Sequence, residues 1–211
     1  GYGLVVVALR DPDIIHFHAI GPSVLSPLAK LLKVKVVVTN HGPDYLRKKW
    51  GKIAKGVLSL GERAGTRFAD RVIVISYGIK KMLEEKYGRN DLRLIPNGVV
   101  IPDPVPPGKI LRKFRLQPGK YVLAACRFVP EKGLLDLISA YQRLENPEFK
   151  LVLAGGADHE NTTSRAITAA ASQDERIILP GFLTGAALAE LFSNTGLFVL
   201  PSYHEGLPIA L

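Results

Sequence analysis

The sequence predicts an α/β protein with two Rossmann-like domains, each built on a parallel sheet, facing a cleft. Short apolar runs rich in β-branched residues alternate with amphipathic segments along the whole chain, which is the pattern of βαβ units. Residues 101–108 hold four prolines and interrupt that alternation, which restarts after them. We therefore predict domains over 1–100 and 109–211, joined by a proline-rich linker at 101–108.

Each half contributes its own set of elements. In the first half, strands are predicted at 13–18, 35–39, 71–75 and 92–95, and helices at 24–32, 45–69 and 76–87. The segment 45–69 is basic, with a possible break at Gly51 or Gly56, whereas Ser76 and Gly88 are expected to cap the helix between them. In the second half, strands are predicted at 121–125, 151–154, 176–179 and 197–200, the last of them buried, with helices between. Residues 4–9 fit either a strand or a helix, and 209–211 fit the first turn of a helix.

Composition narrows the class of protein. Hydrophobic residues make up 47% and charged residues 22%, as in ordinary globular proteins, and no apolar run is long enough to cross a bilayer. The single cysteine, Cys126, excludes an intramolecular disulfide and favours a reducing compartment, so we expect a cytoplasmic protein. Cys126 lies in an apolar strand, where a buried, inert thiol is expected.

The positive charge is concentrated in the first half. Residues 1–104 hold 17 Lys and Arg against 9 Asp and Glu, a net of +8, whereas 105–211 hold 11 against 10, a net of +1. This asymmetry fits an anionic partner such as a membrane surface or a phosphorylated substrate, but it also fits a solvated basic surface. Nucleic acid is not expected as a partner, because no basic motif interleaved with aromatic residues is present.

Polar residues repeatedly follow the predicted strands. His41 follows the second strand, Arg127 and Gly155-Gly156 follow the first two strands of the second half, and Glu205 follows the last. Ligands of parallel sheets bind beyond the carboxyl ends of the strands, so these residues are candidates for one crevice.

Arg127 and Lys132 bracket a strand-to-helix turn. Two cations there would form a clamp for a diphosphate, but the same residues with Glu131 could simply make surface ion pairs. Gly155-Gly156 permits close approach by a ligand, and a plain tight turn explains it equally well. His16 and His18 alternate on a strand without further ligands, so we expect hydrogen-bonded histidines and no metal site. No phosphate loop of the G-x-x-x-x-G-K-[ST] type and no H-E-x-x-H motif is present.

Six segments together resemble the nucleotide-sugar-dependent retaining glycosyltransferases of GT-B fold, in particular the family 4 group. They are Asp13–His18, Val38–Gly42, Ala69–Ser76, Ile95–Val99, Arg127–Gly133 and Glu205–Pro208. The resemblance implies that Arg127 and Lys132 bind the donor diphosphate in place of a metal ion, so no cofactor is expected.

The resemblance implies further roles. His41 and Glu205 would lie at the transferred sugar as catalytic residues, with Glu205 matching the first glutamate of an E-x7-E motif. The backbone N–H groups of Gly206 and Leu207 would bind sugar or phosphate, and Asn97 and Gly98 would form the cleft hinge.

The function implied is transfer of a hexose, with retention, from a nucleoside-diphosphate sugar to a cell-envelope glycan or lipid-linked acceptor. The protein would act in the cytoplasm, at the inner face of an anionic plasma membrane. A sugar-nucleotide epimerase and a non-catalytic nucleotide-sugar-binding protein are the alternatives. The second glutamate of the motif would fall two residues beyond Leu211, so both domains are expected to be incomplete and residues 1–211 alone to transfer little sugar.

Overall fold

The computed structural model describes residues 12–47, 50–145, 148–157, 159–208 and 210. The expectation for residues 4–9 lies outside these ranges, as does most of the helical turn expected at 209–211. The eight strands are β1 Ile14–His18, β2 Lys35–Asn40, β3 Arg71–Val74, β4 Arg93–Leu94, β5 Tyr121–Ala125, β6 Lys150–Ala154, β7 Ile177–Gly181 and β8 Leu197–Phe198. The α-helices are α1 Ser26–Leu31, α2 Lys52–Phe68, α3 Tyr77–Tyr87, α4 Lys109–Lys113, α5 Leu134–Gln142, α6 Thr162–Ala171 and α7 Gly185–Asn194.

These strands form two parallel four-stranded sheets, which confirms the predicted fold class. The first has the order β1-β2-β3-β4 and the second the order β7-β6-β5-β8. Helices cover the sheets, so the central strands are buried and rich in Val, Leu and Ile. Val36 and Val72 in the first sheet and Leu151 and Val152 in the second are fully buried.

Contacts divide the chain into two compact units. The first runs to Gly98 and includes a short segment that begins at Glu205, and the second runs from Val99 to His204. Within the described ranges, no helix combines the length and the apolar character that crossing a bilayer requires.

The structure confirms the predicted caps of α3 and one of the two positions at which a break before α2 was expected. The Ser76 side chain accepts a hydrogen bond from the Ile79 N–H, and Gly88 closes α3 in the left-handed conformation. The segment expected to be helical over 45–69 is interrupted at Gly51, one of the two positions at which a break was expected. Gly51 has extended backbone at the N-cap of α2, which begins at Lys52, and a 3-10 turn, Asp44–Leu46, precedes it. Helix α2 continues through Gly56, the other position.

The proline-rich segment is followed by a helix that was not predicted, α4. Its N-terminus is capped by Glu190, whose Oε1 accepts hydrogen bonds from the N–H groups of Gly108 (2.8 Å) and Leu111 (2.9 Å). Burial raises the pKa of Glu190, but these backbone donors outweigh it and hold that pKa below its ordinary value. Val105 is also anchored, because its N–H donates to the Ser193 hydroxyl at 2.9 Å.

Two expectations about burial were wrong. The last strand comprises only Leu197 and Phe198, and Leu197 is 55% exposed, because this two-residue strand lies at the edge of its sheet. Cys126 is half-buried because it follows β5 and is not within it.

Candidate functional site

The second unit has a topological switch point between β5 and β8. The chain proceeds from β5 to β6 and β7 on one side, whereas β8 pairs with β5 on the other. Loops on the two sides of such a point diverge and leave a crevice at the carboxyl ends of the strands. Arg127 and Lys132 both follow β5 in the chain, Arg127 directly and Lys132 at the end of a 3-10 turn.

The loops that follow β5, β6 and β7 are joined by backbone hydrogen bonds beyond the sheet. The Phe128 N–H donates to the Gly156 carbonyl at 2.7 Å, and the Gly155 N–H donates to the Gly181 carbonyl at 2.9 Å. Phe128 is 6% exposed and anchors its loop in the core. These contacts hold Arg127, next to Phe128, on a fixed loop.

Gly155 is required by the protein's own backbone. A Cβ atom there would lie 1.9 Å from the Cys126 carbonyl oxygen, and its φ is +142°. Gly156 differs, because nothing lies within 4 Å of the position its Cβ would take. Close packing against the loop that holds Cys126, which is neither of the two explanations left open by the sequence, therefore accounts for Gly155, whereas at Gly156 there is space for a ligand.

A cavity of about 270 Å³ opens above these loops. Its walls are mostly apolar, and Arg127 is its one charged lining residue within the described ranges. The lining residues that matter here are Cys126, Arg127, Gly156, Phe182, Leu183 and Leu188. An apolar cavity with a guanidinium in its wall can bind a flat ring together with an anionic group.

The loop after β8 docks on the turn after β5. The Tyr203 N–H donates to the Glu131 carbonyl at 3.0 Å, and the Tyr203 hydroxyl donates to Asp136 Oδ2. Gly133, with φ +63°, lies against the Pro201 carbonyl, 2.2 Å from where a Cβ would stand. The turn Pro130–Lys132 is therefore fixed from the β8 side, and Lys132 with it.

In the first unit, His41 follows β2 within a row of histidines. The His41 and His18 ring centroids are 5.9 Å apart, and those of His18 and His16 are 4.2 Å apart. Burial and the neighbouring His18 hold the pKa of His41 below its ordinary value, although Asp44 acts in the opposite direction. A lowered pKa favours the uncharged imidazole of His41.

One histidine of the row is hydrogen-bonded to the neighbouring strand β2. His16 Nε2 lies 2.8 Å from the Thr39 hydroxyl, as expected for a hydrogen-bonded histidine. Across the described residues, no group of three or more His, Cys, Asp or Glu side chains is arranged to hold a metal ion.

A buried carboxylate fixes the chain that follows His41. Glu62 is 1% exposed, and its Oε1 accepts from Tyr45 (3.2 Å), Lys86 (2.6 Å) and Tyr87 (2.9 Å). Burial lowers the pKa of Lys86, but its hydrogen bonds to Glu62, Tyr45 and Tyr87 outweigh this and raise it. Tyr45 belongs to the turn Asp44–Leu46, so this network ties that turn to α2 and α3.

The segment that begins at Glu205 packs with the first unit. A Cβ on Gly206 would lie 2.2 Å from the His41 carbonyl oxygen, and Leu207 packs against the core of the first sheet. The structure thus brings Gly206 to the His41 loop and Leu207 to the core of the first unit, while Glu205 itself is exposed. Asn97 and Gly98 are also exposed, and the division between the two units falls directly after Gly98.

Two residues of the crevice, Phe182 and Tyr203, were not predicted from the sequence. Phe182 directly follows β7 and is 78% exposed, which is unusual for a large aromatic side chain. Phe182 comes shortly after the predicted strand at 176–179, just as Arg127 comes shortly after a predicted strand. The same sequence signal could therefore have identified Phe182. No sequence signal marks the contact between Tyr203 and Asp136, because it joins the loop after β8 to helix α5, which lies far from it in the chain.

Two glycosyltransferase families together match almost the whole sequence. Residues 4–101 match the family described as Glycosyltransferase Family 4, and residues 109–211 match the family described as Glycosyl transferases group 1.

Among curated relatives, the uncharacterized glycosyltransferase YqgM of Bacillus subtilis is 30% identical over 205 residues, which cover 94% of this chain and 54% of the relative. TuaC of the same species, named as a putative teichuronic acid biosynthesis glycosyltransferase, is 24% identical over 93% of this chain and 49% of its own. The chain thus spans about half the length of the curated relatives it matches.

Solved structures show the same fold. Sucrose-phosphate synthase of Thermosynechococcus elongatus superposes with a TM-score of 0.78 at 21% identity, covering 98% of this chain and 54% of that protein. HepE of Anabaena, solved in complex with UDP-glucose, has a TM-score of 0.72 at 18% identity, covering 97% of this chain and 57% of its own.

Proposed function

Because the chain belongs to the GT-B glycosyltransferases, we propose that it carries the donor site of an enzyme that transfers a hexosyl group from a nucleoside-diphosphate sugar, with retention of configuration. The observation that carries this proposal is the crevice of the second unit. There, an apolar cavity has the Arg127 guanidinium in its wall, and the turn that carries Lys132 follows Arg127 in the chain. The complex of HepE with UDP-glucose supports a UDP-sugar as the donor class.

In this proposal the nucleobase occupies the apolar cavity and the diphosphate lies at Arg127 and Lys132. Phe182 offers its exposed ring to the base, and the open position at Gly156 lets the backbone approach the nucleotide. Arg127 contributes a planar fork for two phosphate oxygens and Lys132 a compact charge. Together they neutralise the charge that develops on the departing diphosphate, the task that a metal ion has in other transferases.

The reaction breaks the bond between the sugar's anomeric carbon and the β-phosphate oxygen. The acceptor oxygen forms the new bond on the same face, and its proton passes to the departing phosphate oxygen. His41, whose lowered pKa favours the uncharged ring, is assigned to the sugar side, where its carbonyl or ring can face the positive charge of an oxocarbenium-like transition state. Glu205 is assigned to the sugar hydroxyls, the N–H groups of Gly206 and Leu207 to sugar or phosphate, and Asn97 and Gly98 to the hinge.

For the acceptor, we propose a cell-envelope glycan or a lipid-linked sugar. The name of TuaC supports an envelope polymer. The net charge of +8 in residues 1–104 supports an anionic acceptor. These positive charges lie in the half of the chain that does not carry the proposed diphosphate clamp, so they are available to attract a second anionic substrate.

A thermal-shift screen tests the donor proposal. A UDP-sugar at about 100 times its dissociation constant should raise the melting temperature by about 5 °C, because a ligand that binds only the folded state stabilises it by about 2.7 kcal/mol. GDP- and ADP-sugars are tested in parallel as alternative donors, and free glucose with inorganic phosphate is the control. If no nucleoside-diphosphate sugar raises the melting temperature above that control, the proposal is wrong.

A further inference from the structure

Residues 96–104 connect the two units without regular structure. All nine are exposed, and none belongs to a helix or a strand. The nearest backbone anchors lie at the two ends: the Ile95 N–H donates to the Val74 carbonyl at 2.9 Å, and the Val105 N–H donates to the Ser193 hydroxyl at 2.9 Å. Within the part of the chain that the structure describes, no backbone group between these anchors makes a hydrogen bond. The backbone of this connection is therefore hydrogen-bonded only at its ends.

This connection contains Asn97-Gly98, the only Asn-Gly pair of the chain, directly before the boundary between the units. Both residues are exposed, and the Asn97 side chain makes no hydrogen bond to another described residue. Nothing lies within 4 Å of the position that a Cβ on Gly98 would take. Solvent therefore reaches Asn97, and the surroundings of Gly98 do not crowd it.

An asparagine carries a side-chain carbonyl that the next backbone nitrogen can attack, because the attack closes a five-membered ring. The attack needs a rotation of the backbone that the hydrogen bonds of helices and strands prevent. It also needs room at the attacking residue, and glycine gives the most room because it has no Cβ. Asn97-Gly98 meets both conditions.

We propose that Asn97 is a site of spontaneous deamidation, at which the side-chain amide is lost and the main chain is partly rerouted through the side chain as isoaspartate. The co-reactant is water. This inference goes beyond the proposed function, and its test needs neither a nucleotide nor a sugar.

The reaction proceeds in two steps. In the first, the Gly98 nitrogen forms a bond to Cγ of Asn97, the bond between Cγ and Nδ2 breaks, and the Gly98 amide proton leaves with Nδ2 as ammonia. A succinimide ring remains, and water then adds to one of its two carbonyl carbons. Opening at Cγ gives aspartate, whereas opening at the main-chain carbonyl gives isoaspartate. One water is consumed and one ammonia is released, and no atom is oxidised or reduced.

Both products change the connection between the units. Each places a carboxylate where Asn97 is neutral, so the formal net charge of +9 falls by one unit. Isoaspartate also adds one carbon to the main chain between the anchors at Ile95 and Val105. The change is thus confined to the connection and leaves the hydrogen bonds at its two ends in place.

Two other asparagines are internal references, because the fold or the sequence protects them. Asn40 is 1% exposed, and its Oδ1 accepts a hydrogen bond from the Gly42 N–H at 2.8 Å, so its side chain is held away from attack. Asn90 is exposed as Asn97 is, but the residue after it is Asp91, whose side chain leaves less room at the attacking nitrogen. Both should remain intact while Asn97 reacts.

The test compares the folded 211-residue chain with a synthetic peptide of residues 94–109. Trypsin cuts the chain after Arg93 and Lys109, so both samples give one peptide in which Asn97 is the only asparagine. Mass spectrometry follows the replacement of NH2 by OH, and an isoaspartyl methyltransferase labels isoaspartate alone. The folded chain should react within about threefold of the peptide rate, because a backbone without hydrogen bonds opens at close to zero free energy. Both rates should rise with pH, since the attacking nitrogen must lose its proton.

A variant of the attacking residue, Gly98→Ala, separates this chemistry from unspecific ageing. The new Cβ meets nothing within 4 Å and the φ of Gly98 is not positive, so the variant should fold normally. It should slow deamidation of Asn97 by at least about tenfold, because a Cβ restricts the approach of the nitrogen. The matched control, Gly78→Ala on α3, also places its Cβ in open space and should leave the rate unchanged.

Three outcomes would overturn the proposal. The first is a folded chain that reacts at least about tenfold more slowly than the peptide, since a contact of the fold would then protect Asn97. The second is deamidation of Asn90 at the same rate as Asn97. The third is equal rates in Gly98→Ala and Gly78→Ala, which would show that the nitrogen of residue 98 is not the attacking group.

Discussion

A variant with Arg127→Ala and Lys132→Ala is expected to bind UDP about a thousandfold more weakly than the natural sequence. Hydrogen bonds to charged groups contribute about 1.5–3 kcal/mol each, and both side chains are proposed to bind the same diphosphate. Arg127 lines the cavity, and Lys132 belongs to the turn that follows Arg127 in the chain. Their contributions to the binding free energy of UDP should therefore not be additive. Isothermal titration calorimetry of UDP with both proteins measures the difference.

The control for this variant removes two cations elsewhere in the same unit. Lys113 and Arg143 are exposed, and they lie on α4 and just after α5. Lys113→Ala with Arg143→Ala lowers the net charge equally and should leave UDP affinity within about threefold, because exposed charges act weakly at a distance. Equal losses in the two variants would show that net charge attracts UDP and that no specific clamp exists.

Gly133→Ala should destabilise the second unit by about 3 kcal/mol. The new Cβ would lie 2.2 Å from the Pro201 carbonyl, so the loop after β8 must move away from the turn that holds Lys132. Overpacking of this kind costs about 1–3 kcal/mol, and alanine at φ +63° adds about 1 kcal/mol. Urea unfolding followed by circular dichroism measures the loss, and UDP affinity should fall with it.

Gly119→Ala separates the two causes. Gly119 also has a positive φ, +73°, but nothing lies within 4 Å of its Cβ position. This variant should therefore cost only about 1 kcal/mol, which is the cost of the backbone conformation alone. Equal destabilisation by Gly119→Ala and Gly133→Ala would mean that the contact with Pro201 adds nothing to stability. The loop after β8 would then not hold the turn that carries Lys132 in place.

Much of the fold could be predicted because its signals are local. The β-branched runs at β2 and β3 mark buried parallel strands, and Ser76 and Gly88 bound α3 through contacts within a few residues. The position of Arg127 at a crevice could likewise be predicted, because it follows from the order of strands and loops along the chain.

The remainder depends on contacts between distant residues. Helix α4 is short and is capped by Glu190, about 80 residues away, so no local pattern marks it. The packing of α2 also depends on a distant contact, because Gly61 and Gly65 lie directly against the loop after β1. Likewise, the role of Gly155 follows from the Cys126 carbonyl, which the sequence alone does not bring close.

Protection of Cys126 by UDP tests the central claim most directly. Cys126 is the only cysteine of the chain, is half-buried and lines the apolar cavity beside Arg127, so it reports on that cavity alone. Saturating UDP should slow the reaction of Cys126 with a thiol reagent at least about tenfold, because a ligand that fills the cavity leaves only the small unbound fraction of the protein open to the reagent. Half-protection should occur at the dissociation constant found by calorimetry, and the Arg127→Ala/Lys132→Ala variant should show no protection at that concentration. UDP that binds by calorimetry but leaves the labelling rate of Cys126 unchanged would place the nucleotide elsewhere and contradict the account.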